Sequence, residues 1–130
     1  MAKTERKPEK KAKSSRLPAQ VKQAVKAAED KQALDLVVMD LRKADGFTDF
    51  FLICSGSNSR QVRAIADGIV ESLLHAGVKP AHTEGYDRSD WILLDYFDFV
   101  VHVFGRETRV FYGLERLWGN ADQIPVTEGS

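Results

Sequence analysis

The chain has 130 residues, of which 43% are hydrophobic and 29% charged, so it is long enough for one globular domain and too short for two. No run approaches the roughly 20 apolar residues of a transmembrane helix, and a single cysteine excludes an internal disulfide. The net charge of zero hides an asymmetry, because residues 1–16 carry seven basic and two acidic residues and the remainder is therefore acidic.

Residues 1–17 are predicted to form a disordered basic arm. Because such arms are attracted to phosphate groups, a contact with nucleic acid and a solvated tail without a partner are both open. The arm lacks the apolar segment of a secretory signal, and its lysines, with Glu5 and Glu9, are unlike an arginine-rich transit peptide. A cytoplasmic location is therefore expected.

Apolar spacing predicts a helix and two strands after the arm. Pro18 suits the first turn of a helix that runs to about Ala33. Residues 34–41 are short and β-branched, which favours a strand, and a loop follows. Residues 49–54 are predicted as a second strand, and its apolar run indicates burial on both faces, with Cys54 in the core.

A second helix follows the second strand. Asn58 and Gln61 have the spacing of a capping box, and Gly77 is suited to the residue after the helix. Residues 78–84 are predicted as a short strand, which would complete a β-α-β unit with a right-handed crossover.

The last third of the chain is predicted as a hairpin and a helix. The hairpin strands are residues 91–95 and 97–104, and the helix covers about residues 106–118. The apolar side of this helix consists of Val110, Phe111, Leu114, Leu117 and Trp118.

These elements predict an α/β domain over residues 18–118, with a mixed sheet of about five strands and flanking helices. One face or edge of the sheet near Trp91 is expected to be open. Residues 119–130 are predicted as a loose tail.

Sites for catalysis are weakly indicated. The Gly56-Ser57 turn before a helix could attract phosphate, but the phosphate-loop motifs are absent and a simple turn is favoured. Nucleotidyl transfer needs two carboxylates on one strand to hold magnesium, and no such pair follows Ser57. Cys54 and His102 could form a nucleophile pair, although core positions are favoured. No catalytic residue, metal or cofactor is expected.

The hairpin is the stronger candidate, as a binding surface. Trp91, Tyr96 and Phe97 are residue types that anchor interfaces, and Asp95 and Asp98 could pair with basic groups of a protein. The alternative is that Trp91 only fills the core.

Several short motifs occur in a characteristic order. They are Met39-Asp40-Leu41-Arg42, Thr48-Asp49-Phe50-Phe51, Ile53-Cys54-Ser55-Gly56-Ser57-Asn58-Ser59-Arg60-Gln61-Val62, Trp91-Ile92-Leu93-Leu94-Asp95-Tyr96, Val101-His102-Val103-Phe104 and Glu107-x-Arg109-x-Phe111-Tyr112-x-Leu114-Glu115-x-Leu117-Trp118. Together they resemble the Iojap family, whose bacterial members are the ribosomal silencing factors RsfS.

The resemblance implies a nucleotidyltransferase-like fold without catalysis. It also implies binding to the large ribosomal subunit through ribosomal protein L fourteen, which blocks joining of the small subunit and represses translation. Homodimers occur in the family. The implied partner-binding residues are Trp91, Ile92, Asp95 and Tyr96, and adjacency adds Asp98. A metal-dependent nucleotidyltransferase and a dimeric scaffold for ribosome assembly are the alternatives.

One residue departs from the family pattern. Relatives usually have glycine between the tyrosine and the second aspartate, where this chain has Phe97. A turn that needs a positive φ does not suit phenylalanine. Either the turn avoids that conformation, or the hairpin is reshaped and strained. Phe97 could also add apolar contact to the partner.

Overall fold

The computed structural model describes residues 17–43, 48–119, 121–124 and 126. Its elements are α1 (Ala19–Asp30), β1 (Leu34–Asp40), β2 (Phe50–Gly56), α2 (Ser59–His75), β3 (His82–Glu84), β4 (Trp91–Asp95), β5 (Phe99–Gly105), α3 (Arg106–Tyr112), α4 (Leu114–Leu117) and β6 (Asp122–Ile124). Over these ranges no helix is both long and apolar enough to cross a membrane.

The six strands form one mixed sheet in the order β3-β4-β5-β2-β1-β6. β2 and β5 are parallel, whereas the other neighbouring strands are antiparallel. Every residue of β2 is buried, which confirms the burial predicted from its apolar run. Two helices cover one face of this sheet, so the larger core lies between them and the strands.

The first two helices begin and pack as their sequences predict. α1 buries Val21, Ala24, Val25, Ala27 and Ala28 against the sheet and α2. The Asn58 side chain accepts the Gln61 N–H at 2.9 Å, which confirms the predicted cap of α2. The Gln61 side chain reaches back to the N–H of Ser57, one residue before the cap.

The strand predicted over residues 78–84 is shorter and differently placed. Only His82–Glu84 form β3, which lies at the sheet edge beside β4. The parallel neighbour of β2 is β5, and β3 runs parallel to β2 in the same sheet with β4 and β5 between them. The segment contains Pro80 and its strand residues are polar, which suits an exposed edge and not a buried position.

The predicted final helix is interrupted. Gly113 adopts the left-handed conformation, with φ +54°, and separates α3 from the single turn α4. Because the break changes the direction of the chain, one apolar stripe cannot continue across both segments.

The two ends of the fold also differ from the prediction. Asp122–Ile124 form β6, which pairs with β1 and buries Ile124, so these residues are not a loose tail. Leu17, which was predicted to belong to the basic arm, is buried in the larger core. The remainder of the arm and residues 120, 125 and 127–130 lie outside the described residues.

Candidate binding surface

Alternation along β4 divides the predicted binding residues between the two faces of the sheet. Ile92, Leu94 and Tyr96 are buried in the larger core, beneath α1 and α2. Trp91, Leu93 and Asp95 point to the opposite side and are only partly buried. These three side chains are called the hairpin face below. Two of the five predicted residues, Ile92 and Tyr96, are therefore not at the surface.

Trp91 is both a core residue and a surface residue. Its ring packs against Phe104 and Tyr112, at centroid distances of 4.9 and 4.7 Å. The indole N–H donates to Nδ1 of His102 at 3.1 Å. One part of the ring is thus fixed by the smaller core while the rest stays accessible, which is suited to a preorganised anchor.

His102 lies beneath Trp91 and is only 4% exposed. Because Nδ1 accepts the tryptophan N–H, the neutral imidazole carries its proton on Nε2, which has no hydrogen-bond partner among the described residues. Burial lowers the pKa of His102 to about 4, so the ring is uncharged at neutral pH.

The conceivable Cys54–His102 nucleophile pair is not formed. Cys54 belongs to the larger core, whereas the register places His102 opposite Ile53 on the other face. Burial also raises the pKa of the Cys54 thiol to about 12, so the thiolate is disfavoured. Cys54 is a core residue, as predicted.

The turn between β4 and β5 is held by Asp95. Its Oδ1 accepts the N–H of Phe97 at 2.8 Å, and the N–H of Asp98 donates to the Tyr96 carbonyl at 2.9 Å. The second bond spans three residues and describes a γ-turn centred on Phe97, whose φ is +77°. The hydroxyl of Thr48, a residue outside the hairpin, donates to the Phe97 carbonyl at 2.7 Å and stabilises the turn.

Phe97 is therefore strained and exposed. The alternative in which the turn avoids a positive φ is wrong, since a phenylalanine occupies the conformation that favours glycine. The surrounding hydrogen bonds fix the backbone conformation of Phe97, so the strain persists in the folded state. The Phe97 ring is 75% exposed and contributes little to the core.

We expect Phe97→Gly to raise the free energy of unfolding by about 1 kcal/mol. Glycine removes a left-handed strain of about 1–2 kcal/mol, and its greater freedom in the unfolded chain offsets part of that gain. Urea unfolding measures the change. The matched variant Phe97→Ala loses the ring but keeps the Cβ, so it should show no such gain; equal stabilisation in both variants would contradict the strain.

Tyr96 and Asp98 differ in accessibility although they flank the same residue. Tyr96 is 7% exposed and stacks on Phe99 at 4.9 Å. Its hydroxyl has no hydrogen-bond partner among the residues that the structure describes, and burial raises its pKa to about 12. The Asp98 side chain is exposed. Only the aspartate is placed to meet a partner directly.

The exposed face of α3 was not predicted. Val110 and Phe111, assigned to the buried side of the last helix, are 74% and 78% exposed, and Leu117 is 72% exposed. Arg109 is buried instead, and donates to Ser55 Oγ at 2.8 Å and to Glu115 at 2.7 Å. The buried ion pair of Arg109 and Glu115 faces the sheet, and the apolar side chains of the helix therefore face solvent.

The aromatic side chains of α3 extend the surface around Trp91. Tyr112 contacts Trp91, and Phe111 packs edge-on against Tyr112 at 5.0 Å. These three residues, Trp91, Tyr112 and Phe111, are called the aromatic strip. Exposed apolar area of this kind marks interaction surfaces in soluble proteins. The one sequence signal among these residues is Gly113, a residue type that indicates an end to the helix before Leu114.

The other sequence candidates do not form a chemical site. Ser57 is engaged by Gln61, through its N–H and its hydroxyl, in the cap of α2. Within the described ranges no three His, Cys, Asp or Glu side chains cluster so that they could hold a metal ion. Asp95 accepts a hydrogen bond within the turn, and Asp98 faces solvent.

Comparison with known families and relatives agrees with this architecture. The family model described as "Ribosomal silencing factor during starvation" matches residues 14–130. The chain is 40% identical over 103 residues to the ribosomal silencing factor RsfS of Halalkalibacterium halodurans, covering 79% of this chain and 88% of that protein. It is 41% identical over 101 residues to the RsfS of Bacillus subtilis, covering 78% and 86%.

A crystal structure of a Chromobacterium violaceum protein has the same fold. The TM-score is 0.75 at 34% sequence identity, and the match covers 77% of this chain and 83% of that chain. The prediction of an α/β domain with a mixed sheet and flanking helices is confirmed, with six strands in place of five.

Proposed function

Because the chain belongs to the RsfS family of ribosomal silencing factors, we propose that it binds the large ribosomal subunit through ribosomal protein L fourteen and blocks joining of the small subunit. Translation is repressed as a result. The family consists of non-enzymatic ribosome-binding factors, which confirms the prediction that the chain is not an enzyme. The observation that carries the proposed contact is the exposed aromatic strip at one end of β4, with the carboxylates of Asp95 and Asp98 at the other end.

The contact surface combines an apolar anchor with acidic groups. Trp91 supplies the anchor, already oriented by His102, and Phe111 and Tyr112 enlarge it. Asp95 lies at the other end of the hairpin face, about 13 Å from Trp91 along a four-residue step of strand, and Asp98 lies beyond the turn that follows it. They would meet basic groups of the ribosomal protein, which orients the complex.

Ile92 and Tyr96 act from beneath this surface. Both side chains are buried, so they support the contact by holding β4 and its turn against the core. Their substitution would weaken binding indirectly, through the position of Trp91 and Asp95.

Asp95→Asn is expected to weaken large-subunit binding by about 2 kcal/mol, or roughly 30-fold in the dissociation constant. The substitution removes the charge but keeps an oxygen that can accept the Phe97 N–H, so the turn survives. Sedimentation through sucrose gradients with purified subunits, at two magnesium concentrations, measures binding and the loss of joined ribosomes together.

The matched control is Glu71→Gln, an exposed carboxylate on α2, on the opposite side of the sheet. It removes the same charge and should leave sedimentation unchanged. If Asp95→Asn and Trp91→Ala both co-sediment with large subunits as the unmodified chain does, the proposed contact is refuted.

Three further features belong to the same proposal. The protein acts in the cytoplasm, in keeping with an arm that is unlike a transit peptide. It forms a homodimer, which equilibrium sedimentation of the chain alone would test.

The basic arm contributes a weak contact to ribosomal RNA, which deletion of residues 1–16 would remove along with part of the salt dependence of binding.

A further inference from the structure

A charged cleft opens behind the aromatic strip, on the other side of α3. Its volume is about 670 Å³, within the range of small-molecule sites. Charged and polar side chains line it, namely Asp35, Ser55, Arg106, Arg109, Glu115 and Arg116. Ser55 comes from the carboxyl end of β2, and α3 follows the carboxyl end of the parallel strand β5. Clefts at the carboxyl ends of parallel strands commonly hold ligands in α/β proteins.

One part of the cleft is rigid. The Arg109 side chain is 10% exposed and forms an ion pair with Glu115 through Nη2, at 2.7 Å. Its Nη1 donates to Ser55 Oγ at 2.8 Å. These three residues neutralise and fix one another, so they form the floor and leave their neighbours available to a ligand.

Two arginines of the cleft have no partner in the part of the chain that the structure describes. Arg106 and Arg116 are exposed, and neither guanidinium forms an ion pair or hydrogen bond with a described residue. Arg116 lies over Gly113, where a Cβ would come within 2.5 Å of its Nη2. The glycine therefore makes room for the guanidinium inside the cleft. Two guanidinium groups that line one cleft and have no partner among the described residues are suited to a phosphate-bearing ligand.

A single carboxylate on β1 lines the same cleft. Asp35 lies where the register between β1 and β2 shifts, and its φ is +51°. Such a bulge re-aims the side chain at the cleft. The carboxylate accepts no hydrogen bond from the described residues, so it can accept one from a ligand hydroxyl or amino group.

We propose that this cleft binds a nucleotide. Its phosphates would lie on Arg106 and Arg116, and a ribose hydroxyl or a base amino group would donate to Asp35. A cleft whose two arginines and one carboxylate have no partner within the described ranges matches a ligand that is anionic at one end and a hydrogen-bond donor at the other. Nucleotide binding is measured on the free protein, so its absence would not contradict the proposed binding to the large subunit.

Calorimetric titration of the full chain with ADP, GDP, ATP and GTP, without magnesium, tests the proposal. At least one nucleotide should bind, and Arg106→Ala and Arg116→Ala should each weaken it about tenfold or more. Lys22→Ala, an exposed cation on α1, is the charge-matched control and should have no effect. Asp35→Ala removes the acceptor, so it should weaken binding of the nucleotide without weakening binding of inorganic pyrophosphate.

Three results would overturn the proposal. The first is the absence of heat with every nucleotide at millimolar concentration. The second is binding that is insensitive to both arginine substitutions. The third is equal affinity for pyrophosphate, which would show that the cleft takes phosphate groups without a nucleoside, or tighter binding of a single-stranded RNA, which would show that the ligand is a polynucleotide.

Discussion

Gly85→Ala is expected to lower the free energy of unfolding by about 4 kcal/mol or more. Gly85 joins β3 to the loop before Trp91 and has φ +92°. A Cβ at this position would overlap the carbonyl oxygen of Trp91 and lie 3.0 Å from its carbonyl carbon and 3.2 Å from Cα of Ile92. These are backbone atoms of a paired strand, so no side-chain rotation relieves the overlap.

Gly77→Ala is the matched control for this effect. Gly77 also has a positive φ, +81°, but a Cβ there meets nothing within 4 Å. Its substitution should therefore cost only the conformational strain, about 1 kcal/mol. Chemical unfolding of both variants separates strain from steric overlap, and equal losses would show that the close approach to Trp91 is unimportant.

The consequence for function follows from where the overlap occurs. Displacing the start of β4 moves Trp91, which is the anchor of the aromatic strip. Gly85→Ala protein that remains folded should thus bind the large subunit more weakly. Gly85 thus supports the proposed binding surface indirectly, although its own atoms need not contact the partner.

The central part of the fold follows from local sequence patterns. The apolar run of β2 predicts a central strand, and Asn58 with Gln61 predicts the start of α2. These features succeed because each depends on residues close in the chain. The two edge strands of the sheet are harder to predict. β3 and β6 are three residues long and mostly polar, so their pairing depends on neighbours that lie far away in the sequence.

The orientation of α3 shows a different limit. Its apolar residues predict a buried face, yet Arg109 occupies that position. A buried arginine is unfavourable unless it is paired, and the partners Ser55 and Glu115 come from β2 and α4. Periodicity within the helix cannot reveal a partner 54 residues away. The aromatic strip, which is the main addition to the candidate site, was missed for this reason.

The hairpin itself was predicted in part. Alternation along β4 correctly separates Trp91 and Asp95 from Ile92 and Leu94 once one face is known to be covered. The family motif does not make that separation, because it groups exposed and buried residues together. Tyr96 illustrates the difference: it belongs to the motif, but its ring stacks on Phe99 inside the core.

Acidification should destabilise the fold through His102. The ordinary histidine pKa of about 6.5 applies to the unfolded chain, whereas burial lowers it to about 4 in the folded protein. Well above pH 6.5 His102 is neutral in both the folded and the unfolded chain, so it does not change the free energy of unfolding with pH. As the pH falls, the unfolded chain takes up the proton first, so the free energy of unfolding should decrease by about 3 kcal/mol by pH 4.

The variant His102→Gln isolates this contribution, because glutamine does not titrate and can still accept the Trp91 N–H. Its stability at neutral pH need not match that of the unmodified chain, since only the slope with pH is compared. Carboxylates such as Asp40, whose pKa Arg42 lowers by a hydrogen bond, titrate in both proteins and cancel. Urea unfolding between pH 7 and pH 4 should therefore show a shallower decline in the variant. Parallel curves would mean that the folded protein protonates His102 as readily as the unfolded chain does, which its burial beneath Trp91 opposes.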